Sequence, residues 1–232
     1  MKPYPKDNQT RKICVPIVET DMEKARKAVK EANRLADLIE LRMDYLKRPK
    51  LEPLLQAGEK PIIVTHRRRE EGGRYTGNEK KRLAILQEAI DLGASFVDVE
   101  VASKAFLLRE LVNHSDPTRL ILSFHDCQGT PSLAELIRLF GRMMRVGAGV
   151  VKIVTLARAF EDNLRILSLL PYASERKQKI VAFCMGEKGK MSRVFAPLAG
   201  AAWTFASLGR EKTSAPGQLT VSEMRKIWEK LG

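Results

Sequence analysis

Lys152 lies inside Gly149-Val150-Val151-Lys152-Ile153-Val154-Thr155, a β-branched run that reads as a buried strand. Burial disfavours an ammonium ion, so a lysine in such a strand needs a reason. One reason is chemical: an amine that its surroundings keep partly uncharged can attack a carbonyl and form a Schiff base. The competing reading is a solvated lysine on a surface strand. His125 ends the preceding apolar run, Leu120-Ile121-Leu122-Ser123-Phe124, and is followed by Asp126. Imidazole moves protons near neutral pH, so His125 beside Lys152 would supply a proton shuttle to an amine nucleophile.

Further groups have the types and spacing of a polar pocket. Period-two alternation puts Glu40 and Arg42 on one strand face, Asp98 and Glu100 on another, and Ser123 with His125 on a third. An internal ion-pair layer, with Arg42 against Glu40 or Glu100, accounts for Asp98 and Glu100 best. For Glu40 and Arg42 it stands level with substrate binding. Arg67 directly follows a strand and is the one of Arg67-Arg68-Arg69 expected to face a pocket. Glu71 precedes Gly72-Gly73, which marks a mobile loop. Arg193 stands where a guanidinium could clamp a carboxylate through two hydrogen bonds. Ser214 and Gln218 flank Pro216-Gly217 in a loop able to act as a lid. His114, ahead of Ser115-Asp116-Pro117, reads as a surface or helix-terminus residue.

The elements that must position these groups alternate regularly. Strands are expected at 13–18, 38–42, 61–66, 96–101, 119–125, 149–155, 179–185 and, weakly, 203–206. Helices are expected at 21–36, 51–57, 78–92, 103–113, 132–146, 160–170, 191–196 and 221–231, with Thr20 or Asp21, and Asn78, as caps. Eight strand–helix units in one composition predict a (β/α)8 barrel spanning 1–232 as a single catalytic domain, with 1–12 as a polar extension. A doubly wound open sheet is the alternative, weakened because no phosphate-binding glycine motif follows any strand. In a barrel, function gathers at the carboxyl ends of the strands, where the residues above fall.

Composition sets the outer bounds. Lys+Arg 41 against Asp+Glu 28 leaves +13, which favours anionic partners. Surface charge networks of the thermophile kind would produce the same excess. Nucleic-acid binding is not expected, because aromatic residues are only 6% and do not interleave with the basic runs. Cys14, Cys127 and Cys184 are far apart, form no CxxC pair and read as small buried hydrophobes, so neither a metal site nor a disulfide framework is expected. No signal core or membrane-length apolar run is evident, which points to the cytoplasm.

In order along the chain stand Glu-Leu-Arg-Met-Asp at 40–44, Thr-His-Arg at 65–67 with Glu-Gly-Gly at 71–73, Ser-Phe-His-Asp at 123–126, and Val-Lys-Ile at 151–153. Met-Gly at 185–186 with Ser-Arg at 192–193, and Ser-Ala-Pro-Gly-Gln at 214–218, complete the set. Together these motifs resemble the type I 3-dehydroquinate dehydratases, the Schiff-base class. The resemblance implies a (β/α)8 barrel and a syn elimination of water from 3-dehydroquinate, giving 3-dehydroshikimate in the shikimate pathway. It implies that Lys152 forms the imine, His125 shuttles the proton and Glu71 assists His125. Glu40, Arg42 and Arg67 would hold substrate hydroxyls, Arg193 the carboxylate, and Ser214 and Gln218 the closing side. No cofactor or metal is implied, and a homodimer is typical of the family. Burial and a charged Arg42 or His125 are expected to favour the neutral amine of Lys152. His66 departs from the aromatic residue expected before the arginine and would put a second titratable ring near the pocket. A class I aldolase is the rival enzyme, but the last loop lacks the glycine density of a phosphate site.

Overall fold

The computed structural model describes residues 11–114 and 120–231. Most of the expected N-terminal extension, the start of the fifth strand at Arg119 and the side chain of His114 lie outside the described residues. The first half runs β1 (Ile13–Ile17), α1 (Met22–Leu35), β2 (Leu38–Arg42), α2 (Glu52–Ala57), β3 (Ile62–Thr65), α3 (Glu79–Asp91), β4 (Phe96–Glu100) and α4 (Ala105–His114). The second runs β5 (Leu120–Asp126), α5 (Leu133–Val146), β6 (Val150–Leu156), α6 (Glu161–Leu167), α7 (Leu169–Glu175), β7 (Lys179–Met185), α8 (Lys190–Phe195), β8 (Thr204–Phe205) and α9 (Val221–Leu231).

The eight strands are all parallel, in the order β7-β6-β5-β4-β3-β2-β1-β8. The remaining seam is bridged just ahead of β8, where Ala202 N donates to Ile180 O at 2.8 Å. The result is the expected (β/α)8 barrel. Strands such as Ile13–Ile17 and Val150–Leu156 are buried almost throughout, because the helices cover one face and the barrel interior the other.

Local chemistry starts and stops the helices where the sequence predicts. Asp21 caps α1 by accepting from the backbone of Glu23 and Lys24, and Asn78 does the same for α3. Ser132 and Glu135 form a reciprocal capping box on α5, which ends at Gly147 in the left-handed region (φ 101°). The helix expected at 160–170 is two helices. Pro171 lacks the N–H that would bond back to Leu167, and the chain breaks at Ser168.

Registers place the interior polar groups in layers. Arg42 pairs with Thr65, Thr65 with Asp98, Glu100 with Ser123, and Ser123 with Lys152. Cys14 and Cys184 are buried as expected, whereas Cys127 is exposed beyond the end of β5. Among the described residues, no helix is long and apolar enough to cross a membrane, and no group of three His, Cys, Asp or Glu could hold a metal ion.

Candidate active site

A cavity of about 280 Å³ opens at the carboxyl end of the barrel. Eight of the nine residues expected at the site line it: Glu40, Arg42, Arg67, Glu71, His125, Lys152, Arg193 and Ser214. The ninth, Gln218, is held one step back, where its Oε1 accepts from Ser214 N at 2.8 Å and Ser214 Oγ at 3.2 Å. Phe183, Met185 and Phe205 provide an apolar wall.

Lys152 is buried, at 4% exposure, but it is not unpaired. Its Nζ lies 2.8 Å from Asp98 Oδ2 and 3.3 Å from Glu40 Oε1, and 4.4 Å from the centroid of the Phe205 ring. The amine therefore faces two carboxylates, contrary to the expected company of cations. Asp98 is fully buried and is gripped from its other side by Arg67 Nη2 at 2.7 Å and Ser123 Oγ at 2.6 Å. Burial pushes its carboxyl up, but Arg67 and Lys152 outweigh burial and hold it well below the ordinary range. Glu40 accepts from Thr65 Oγ1 at 2.8 Å.

Asp98 and Glu100 do form the expected ion layer, with a different cation. Arg67 Nη1 sits 2.9 Å from Glu100 Oε1, and the fully buried Arg82 of α3 bonds the other oxygen of Glu100. Arg42 pairs with neither Glu40 nor Glu100. It holds Asp44 through two hydrogen bonds, Nε to Oδ1 at 2.9 Å and Nη2 to Oδ2 at 2.8 Å. A flexible guanidinium finds its planar match two residues away along the chain more easily than across the barrel. Asp44 also accepts from the backbone N–H groups of Arg67 (3.3 Å) and Arg74 (3.0 Å), and so ties the Glu71 loop to β2. Asp44 and Asp98 are site residues to which the sequence assigned no catalytic part.

His125 stands at the end of β5, with Nδ1 3.3 Å from Glu71 Oε2 and its backbone N–H donating to the same oxygen at 2.9 Å. Burial, with Arg67 and Lys152 adding to it, pulls His125 well below its usual range, which favours the neutral imidazole. Burial also pushes Glu71 up, to about 7, against the opposing pull of Arg67. The contact is thus a hydrogen bond between a neutral ring and a carboxyl poised near neutrality. With Nδ1–H given to Glu71, Nε2 keeps its lone pair as a base.

Arg193 is buried, at 1% exposure. Among the described residues its Nε and Nη2 have no hydrogen-bond partner, and its guanidinium carbon lies 4.5 Å from the Phe183 ring centroid. Burial pulls its pKa down to about 10. A buried cation with free planar donors is a receptor waiting for an anion. The loop carrying Ser214 docks on the end of β7, where Gly186 N donates to Pro216 O at 3.0 Å.

His66 does not reach this cavity. Its ring turns into a separate hollow beside Tyr75 and Asp44, with centroids 4.3 Å apart from Tyr75, and burial pulls it down to about 4. Successive strand residues point to opposite faces, so the residue before the inward Arg67 is directed outward.

The chain has extensive similarity to known proteins. The family model described as Type I 3-dehydroquinase matches residues 13–232. A 3-dehydroquinate dehydratase from Methanocaldococcus jannaschii is 36% identical over 220 residues, covering 93% of this chain and 97% of the relative. One from Desulfotalea psychrophila is 36% identical over 225 residues, covering 94% and 97%. Among solved structures, the 3-dehydroquinate dehydratase of Geobacillus kaustophilus superposes with a TM-score of 0.86 at 27% identity, covering 95% of this chain and 91% of its own. The type I enzyme of Clostridium difficile, solved with covalently modified comenic acid, gives 0.84 at 25% identity, covering 95% and 92%.

Proposed function

The chain belongs to the type I 3-dehydroquinase family, and from that premise we propose the part each residue takes in its chemistry. The reaction is the dehydration of 3-dehydroquinate to 3-dehydroshikimate, a hydro-lyase step of the shikimate pathway toward aromatic amino acids. The lone pair of the Lys152 amine attacks the substrate ketone. The carbonyl oxygen takes up protons and leaves as water, giving an iminium ion. A proton alpha to a ketone is too weakly acidic for imidazole alone, and the iminium supplies the electron sink. His125 Nε2 takes that proton, and the electron pair moves into an enamine. The nitrogen lone pair re-forms the iminium, the enamine π pair becomes the new carbon–carbon double bond as the β carbon–oxygen bond breaks, and His125 gives its proton to the departing hydroxyl. Water then adds to the conjugated iminium and releases product and amine. One water is consumed and two are lost, so the net change is a single dehydration. One base serving both proton steps fits a syn course.

Glu71 holds His125 through Nδ1 and leaves Nε2 free for these transfers. Arg193 receives the substrate carboxylate. Glu40, Arg42 and Arg67 meet the hydroxyls, and Ser214, steadied by Gln218, closes the open side. The observation that carries this reading is one cavity holding Lys152, His125 and an unpaired buried guanidinium. Residues 13–231 act as one catalytic barrel. Reduction with borohydride in the presence of 3-dehydroquinate should fix the carbon skeleton to the peptide bearing Lys152. Lys152→Ala should leave no adduct and no turnover while keeping its circular dichroism. An adduct elsewhere, or near-normal turnover by that variant, refutes the assignment. His125→Ala should still trap adduct but dehydrate very slowly.

The two buried thiols, unpaired with one another, fit a reducing cytoplasm, to be checked by cell fractionation. Phe160 and Leu164, one helical turn apart and 59% and 52% exposed, fit a homodimer contact. Sedimentation at low concentration tests this, a monomer being the contrary result.

A further inference from the structure

The nitrogen of Lys152 changes charge repeatedly during the reaction set out above. It is an ammonium or amine at rest, a cation in the iminium, neutral in the enamine, and a cation again once the hydroxyl has left. A carboxylate fixed beside that nitrogen acts on each of these changes. Asp98 is such a group: 2.8 Å from Nζ, fully buried, and unable to swing away because Arg67 and Ser123 hold its other oxygen.

We propose that Asp98 is a catalytic residue, the fixed counter-charge that favours the cationic state of the Lys152 nitrogen and so helps the enamine expel the hydroxyl. This rests on Lys152 being the imine-forming amine. When the carbon–oxygen bond breaks, an electron pair leaves with oxygen and positive charge returns to nitrogen, and Asp98 stabilises that developing charge without having to reorganise. Neither Arg67 nor Ser123 needs to touch substrate for this; they keep the carboxylate ionised and aimed.

Other charged groups face the nitrogen from several elements. β2 offers Glu40 at 3.3 Å and Arg42, and the segment just after β3 offers Arg67. Neutral His125 stands on β5, Cys14 lies beneath on β1, and Glu71 and Arg193 stand at the rim. Of these, Glu40 is the second carboxylate close to Nζ, and its proton-donor partner is a neutral hydroxyl, Thr65. Asp98 is the one that is both in short contact and anchored by a guanidinium.

The test is borohydride trapping across a pH series, which reads two limbs. The initial trapping rate falls on the acid side as the amine holds its proton, and the trapped fraction falls on the alkaline side as the imine loses its cationic form. Asp98→Asn removes the counter-charge, so both limbs should move to lower pH together, by about one unit or more for an opposite charge this close. A purely structural role would lower the folded fraction and leave both limbs in place. Ser123→Ala removes a donor that shares the charge of Asp98, leaving more of it facing Lys152, so both limbs should move slightly to higher pH. The paired opposite shifts support the inference. A folded Asp98→Asn protein with unmoved limbs overturns it. If that variant fails to fold, unmoved limbs in Ser123→Ala overturn it instead. Failure of the unaltered enzyme to trap adduct on Lys152 would refute the underlying assignment, a distinguishable result.

Discussion

Arg193→Met should make the ligand-free protein more stable and the enzyme much worse. Arg193 is 1% exposed and, among the described residues, has two buried donors without partners. Its guanidinium stays charged to a higher pH in the unfolded chain than in the folded one, where burial brings it down to about 10. The penalty is therefore fully present below about 10 and fades only as pH rises from there toward the ordinary guanidinium range. At neutral pH that difference corresponds to about 3 kcal/mol. The Phe183 ring against the guanidinium returns part of it. Methionine keeps the apolar stem and drops the charge, so a gain of about 1–3 kcal/mol is expected. For a chain of this length that raises Tm by roughly 2–10 °C. The same change removes two charge-assisted bonds to the substrate carboxylate, at about 1.5–3 kcal/mol each. Loss of kcat/KM should be about 10²–10⁴-fold, carried mainly by KM. Calorimetry without ligand, beside steady-state kinetics, checks both halves. A variant less stable than the parent, or one with an unchanged KM, would refute the idea that this buried charge exists to meet an anion.

Glu71→Gln should flatten the pH dependence of stability. The Glu71 carboxyl ionises near 4.5 when unfolded and near 7 when folded, so the native state loses stability as pH rises between these values and stays lower above them. The span is about 3 kcal/mol at most. Urea unfolding should show the glutamine variant gaining relative to the parent from acid to alkaline pH, and a constant difference would count against it. Gly217→Ala should impair closure of the last loop. Gly217 has φ 73°, and an added Cβ would lie 2.1 Å from Gly186 O. Because strain of about 1–3 kcal/mol is released when the loop lifts off Gly186, KM should rise about tenfold while the melting temperature of the barrel barely moves. An unchanged KM would show that the loop does not close over substrate.

The barrel was legible because its strands are dense in valine and isoleucine and its helices carry Asp21, Asn78 and Ser132 at their starts. The break at Ser168 was readable in principle from Pro171, yet the apolar spacing on both sides concealed it. The lining of the cavity was equally readable, since strand ends and alternation put Glu40, Arg67, His125 and Lys152 on the inner face. What sequence spacing did not carry was pairing across the barrel. Lys152 on β6 meets Asp98 on β4 and Glu40 on β2, and no periodicity along one strand encodes a partner two or four strands away. His66, expected near the pocket, stands one step of the pleat from Arg67, which sends its ring into the neighbouring hollow instead.

The cross-barrel pairs also explain how a strongly basic chain selects a small acid. Four cations line the cavity among the described residues. Asp44 answers Arg42, Asp98 and Glu100 answer Arg67, and Asp98 and Glu40 answer Lys152. Arg193 has no such answer. Breaking any of the first three pairs would strand a buried charge, at about 3–5 kcal/mol, so these carboxylates are structural necessities as well as functional ones. Each of these three cations therefore has a carboxylate beside it, and among the described residues the guanidinium of Arg193 is the one left without. Specificity for a single carboxylate then follows from where compensation is withheld, and the +13 of the whole chain need play no part in it.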